Sequence, residues 1–66
     1  MATLATITLT DSTRIVVEAV TASPAGVSVE EQFLDKAGGP WLPTRAVWLP
    51  QAIRADVLAA LATWPA

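Results

Sequence analysis

Apolar and polar residues alternate along most of this chain. In residues 4–10, LATITLT, Ile7 and Leu9 fall on one side and Thr6, Thr8 and Thr10 on the other. A period of two marks a half-buried strand, because successive Cβ atoms point to opposite faces. Asp11, Ser12 and Thr13 form a polar turn cluster. Residues 14–21, RIVVEAVT, predict a second strand rich in β-branched residues. Ile15, Val17 and Ala19 share one of its faces, and Val16, Glu18 and Val20 the other. Valine on both faces predicts a central strand with something packed on each side. Residues 22–26, ASPAG, have the composition of a turn. A third strand over 27–34 puts Val27, Val29, Glu31 and Phe33 on one face, and Ser28, Glu30, Gln32 and Leu34 on the other. So short a loop permits only an antiparallel hairpin.

Residues 35–40, DKAGGP, predict a second turn in which one of the adjacent glycines takes a positive φ. Asp35 is expected to bond nearby backbone there. A fourth strand is predicted from about Trp41 to Leu49. Pro43 cannot donate to a ladder, so this strand is expected at an edge or to carry a bulge. Then the period changes. Ile53, Val57, Leu58, Leu61 and Trp64 recur at spacings of three and four, which gathers them on one face of a helix. The helix is expected from about Pro50 to Thr63. Pro50 would occupy its first turn, where the missing N–H costs nothing, and Pro65 would end it. The predicted fold class is α+β: a four-stranded antiparallel meander followed by one C-terminal helix, ββββα, as a single domain over residues 1–66. The helix is expected to cover one face of the sheet and leave the other open for function.

Composition sharpens this picture. A chain of 66 residues has a marginal core on its own. It contains no cysteine, so disulfides and thiolate metal sites are excluded. It contains no histidine, the commonest metal ligand and neutral-pH acid–base catalyst. The sequence is 53% hydrophobic and 15% charged, which is apolar for a small soluble surface. Oligomerisation is the remaining route to stability, and a homodimer is expected. The net charge of −2 argues against strong nonspecific nucleic-acid binding. No apolar run approaches the roughly 20 residues of a membrane helix. The first ten residues lack the basic start of a signal peptide, so a cytoplasmic location is expected.

Catalytic chemistry finds little material. No nucleophile–base pair is available, and the two glycines at 38–39 signal a turn rather than a phosphate loop. Glu30 and Glu31 are neighbours on a strand, so they point to opposite faces and cannot act as a pair. A binding or structural protein is expected, not an enzyme, with no cofactor, no metal and no small-molecule substrate.

From Asp35 onward the pattern D-x-x-G-G-x-W-x-P-T-R-x-V-x-L-P leads into an amphipathic helix. This resembles the positive cofactor 4 family of transcriptional coactivators and its small bacterial and phage relatives. The residues that carry the resemblance are Phe33, Asp35, Gly38 or Gly39, Pro43-Thr44-Arg45, Val47, Leu49 and the segment from Pro50 onward. The resemblance implies a curved four-stranded sheet followed by a helix, a homodimer whose helices pack together, and binding of single-stranded DNA along the sheets with little sequence preference. Phe33 matches the family's stacking aromatic, and Arg45 its basic residue after Pro-Thr. The chain departs from the family in carrying Glu18, Glu30 and Glu31 where basic strands are usual, and Ala46 where a second basic residue commonly stands.

The expected nucleic-acid-binding residues are Arg14, Phe33, Lys36, Trp41, Thr44 and Arg45. Arg45 and Arg14 would hold phosphates, and Phe33 and Trp41 would stack on bases. Each has a plainer alternative. Phe33 could pack beside Val27 and Val29, Trp41 could cap the sheet edge, and Lys36 could be a solvated cation or a partner for Asp35 or Glu31. The expected dimer interface comprises Trp48, Ile53, Val57, Leu61 and Trp64. Trp48 points opposite to Val47 and Leu49, which puts it on the open face or in the dimer contact. Arg54 is two residues from Asp56, off its helical face, and is expected in solvent or in the interface. A protein–protein or assembly module of the same fold, without nucleic-acid binding, is the second reading.

Overall fold

The computed structural model describes residues 2–65, so Met1 and Ala66 of the single-domain span lie outside the described residues. Four strands form one antiparallel sheet in the order β1-β2-β3-β4. They are β1 (Ala2–Thr10), β2 (Thr13–Val20), β3 (Gly26–Leu34) and β4 (Trp41–Pro50). A 3₁₀ turn over Gln51–Ile53 leads into the helix α1 (Arg54–Leu61). The ββββα order is that of the alternation pattern, and the turn chemistry explains where the strands end. Thr10 and Thr13 bring their hydroxyls to 2.7 Å across the β1–β2 turn, and the Ser12 amide donates to Thr10 Oγ1 at 3.2 Å. In the β3–β4 turn Gly38 has φ of 77°, a conformation that only glycine adopts cheaply.

Pro43 lies on an edge strand and beside a bulge. Glu31 pairs with Arg45 and Gln32 with Pro43, so Thr44 is the extra residue. Asp35 departs from expectation: among the described residues its carboxylate makes no hydrogen bond, and the turn is instead closed by the Gly39 amide donating to the Lys36 carbonyl at 3.0 Å. Gly26 also departs. It belongs to β3 rather than to the preceding turn. A Cβ there would sit 2.7 and 2.9 Å from the Trp48 ring, so the glycine serves close approach.

The helix begins later than its periodicity predicts. Pro50 has φ −67° and ψ 149°, extended backbone, and ends β4 instead of opening a helical turn. Proline fixes φ near −65° in both conformations, so only ψ separates them. The α-helical part has 8 residues. Isolated helices below roughly 12–15 residues are marginal in water, so this one depends on packing. Yet all its residues are exposed except Val57, which is half-buried.

The helix therefore overhangs one face of the sheet without sealing it. Among the described residues the buried set is Val16 and Gly26. β2 is central, as its valines predict, but among the described residues the helix overhangs only part of one of its faces and no second helix or sheet is present for the other. The molecule measures 39 × 35 × 16 Å. Its radius of gyration is 13.7 Å, against about 11 Å for a compact chain of this length. No described helix is long and apolar enough to cross a membrane.

Candidate functional site

Pairing register assigns each side chain to a face, because residues directly opposite in an antiparallel ladder project to the same side. One face is apolar. Val17 pairs with Val29 and Val29 with Val47; Val27 pairs with Leu49; Ile15 pairs with Ile7; Phe33 pairs with Leu42. The helix hangs over one end of this face. Between them lies an open cleft of about 380 Å³, lined by Leu4, Val17, Val29 and Leu49 from the sheet and by Val57, Leu58 and Leu61 from the helix, with Arg54 at its margin. Away from the helix the same face is bare, with Ile7 at 50% exposure and Val47 at 57%. Among the described residues it carries one ion pair: Arg45 Nε lies 3.2 Å from Glu31 Oε1, and Arg45 is mostly solvated. An exposed pair of this kind contributes about 0–1 kcal/mol.

The other, more polar face is mixed: Arg14, Glu18, Ser28, Glu30 and Gln32 share it with Val16, Val20, Leu34, Trp41 and Trp48. Arg14 Nε donates to Gln32 Oε1 at 2.7 Å, and Gln32 Nε2 donates to Glu30 Oε1 at 3.4 Å. The Arg14 guanidinium also stacks over the Trp41 ring, 4.2 Å from its centroid. A cation over a tryptophan face is a favourable contact of about 0.5–1 kcal/mol at exposed sites. Farther along, the Trp48 ring lies against Gly26, so this tryptophan is on the polar face and opposite Val47 and Leu49.

The predicted nucleic-acid residues are consequently divided. Arg14 and Trp41 meet on the polar face. Phe33, at 36% exposure, and Arg45 lie on the apolar face. Thr44 occupies the bulge between them, and Lys36 is exposed in the β3–β4 turn at the same end of the sheet. No single groove along one face holds all six. The bulge is the cause. Without it Trp41 would share a face with Arg45 and Val47; the extra residue moves Trp41 and Pro43 across.

Of the predicted interface residues, Val57 and Leu61 line the cleft. Ile53 and Trp64 are exposed at 37% and 75%, on either side of the helix. Trp48 sits on the opposite face of the sheet from Val57 and Leu61. The sequence pattern placed Leu58 on the sheet-facing side of the helix, as found, but missed Leu4 and Arg54 as cleft residues. Leu4 falls where the β1–β2 register shifts, and Arg54 follows from the delayed helix start. No protein-family model, curated protein or solved structure matches the chain.

Proposed function

We propose that this chain is a non-enzymatic homodimeric module that joins through its apolar face and binds single-stranded nucleic acid, weakly, on its polar face. The observation that carries this reading is the division of the sheet into two unlike faces. A folded monomer of this mass exposes about 4,000 Å², whereas this chain exposes 5023 Å², a surplus of roughly 1,000 Å². A standard protein interface buries about 800 Å² on each partner. The surplus is therefore what one partner would remove.

A second copy fits that face better than an unlike protein. Its charges near the centre are the Arg45–Glu31 pair, which neutralises itself. Two like faces then meet without repulsion, and no residual charge calls for a complementary partner. Pairing also leaves both polar faces outward. There the Arg14–Trp41 stack combines a cation and a flat ring, the two elements that hold phosphate and base. Phe33 and Arg45 reach such a ligand only by wrapping around the end of the sheet near Lys36.

Titration of labelled oligo-dT into the protein at low salt tests the reading. Saturable binding is expected, lost in Arg14→Ala and in Trp41→Ala. Absence of binding at high micromolar protein, with the dimer intact, would leave the second reading: an assembly module of the same fold. That reading is favoured by Glu30 beside Gln32 and by the net charge of −2, both unfavourable to phosphate.

A further inference from the structure

The cleft between α1 and the sheet is open to solvent and apolar on both walls. Leu4, Val17, Val29 and Leu49 face Val57, Leu58 and Leu61 across about 380 Å³. An open apolar cleft leaves its lining side chains against water, which burial under a partner would relieve. The most exposed large apolar side chain among the described residues is Trp64, at 75%. It follows the helix by three residues and does not line the chain's own cleft; its amide donates to the Leu61 carbonyl at 3.1 Å and Thr63 Oγ1 donates to the Ala60 carbonyl at 2.7 Å. Leu61 lines the cleft, and Trp64 is tied to it through that backbone hydrogen bond.

We propose that Trp64 of a second copy fills this cleft, and that the two copies exchange tryptophans reciprocally. This rests on the homodimer reading and specifies its anchor. Twofold symmetry makes the contact isologous: each cleft receives a ring and each Trp64 leaves solvent. A buried aromatic seated in an apolar pocket is the usual form of an interface hot spot. The surplus area is of the right size, since a tryptophan buries about 150–250 Å² and the remainder comes from the bare valine and isoleucine surface.

The test uses the full chain with Trp41→Phe and Trp48→Phe, so that Trp64 is the only tryptophan. Acrylamide quenching of its fluorescence is followed against protein concentration, with light scattering on the same samples. The expected result is a Trp64 that is quenched freely in the dilute single chain and becomes shielded as the mass doubles. The unmodified chain with Trp64→Ala, an exposed position whose loss should not disturb the protomer, is expected to raise the dimer dissociation constant roughly 30-fold or more. A doubled mass with Trp64 equally quenchable at all concentrations overturns the exchange and keeps the homodimer. Shielding already present in the single chain overturns it in favour of the chain's own cleft. A single-chain mass at every concentration overturns the homodimer and the exchange with it.

Discussion

Val47→Lys separates a protein that needs its apolar face covered from one that does not. Val47 is 57% exposed and sits mid-strand, paired with Val29 beside the cleft. In a lone chain this is a surface change, worth within about 0.5 kcal/mol. In a dimer it is not. Full burial of a valine side chain is worth about 1.5–3 kcal/mol, and a little over half of that remains to be gained on pairing. Two symmetry-related copies therefore forfeit about 2–3 kcal/mol together. Placing two lysine ammonium groups in the contact adds a desolvation cost of several kcal/mol per ion. The dimer is expected to weaken by at least a thousandfold, since each 1.4 kcal/mol is a factor of ten. Size-exclusion chromatography over a concentration series reads the loss, and circular dichroism reads whether the sheet survives it. Ala46→Lys, one residue away and on the polar face, is the control and should elute with the parent protein. A Val47→Lys protein that elutes and melts like the parent would refute the reasoning.

Three further outcomes follow from the geometry. Gly26→Ala pushes a methyl into the Trp48 ring and the β4 backbone; overpacking of this kind costs about 1–3 kcal/mol, against about 0.4–1 kcal/mol gained from the less flexible unfolded chain, so the melting temperature should fall by several degrees. An unchanged or higher melting temperature would place Trp48 elsewhere. Arg45→Gln breaks an exposed ion pair and should change stability by less than about 1 kcal/mol in chemical denaturation, and by less still at high salt. Binding of oligo-dT should show a shallow salt dependence, with a log–log slope no steeper than about −2, because roughly three or fewer phosphates are engaged per protomer. A slope several times steeper would mean that cations besides Arg14 and Lys36 share the site.

The sheet was legible in the sequence because its alternation is strict and its turns are chemically marked. Gly38 takes the positive φ that the adjacent glycines announce, and Pro43 lies at the edge and bulge that a missing donor requires. Two features resisted. Pro50 has a φ that suits a strand end as well as a first helical turn, so the start of α1 was set by ψ, which proline does not fix. The bulge at Thr44 reverses which side Trp41 faces, and nothing in local composition says whether Pro43 is accommodated by its place at the edge or by an inserted residue. That reversal parts Trp41 from Phe33 and Arg45, and so reshapes the candidate ligand surface more than any other single residue. Burial was also beyond reach. The helical spacing correctly groups Val57 and Leu61, but it could not reveal that the helix stands off from the valines beneath it.

Sedimentation equilibrium of the unmodified chain at several rotor speeds and loading concentrations tests the account at its base. Covering roughly 1,000 Å² of surplus surface on each protomer predicts a mass of twice the chain, dissociating only on dilution and with loss of stability. A stable, folded species of single-chain mass throughout the range would contradict it.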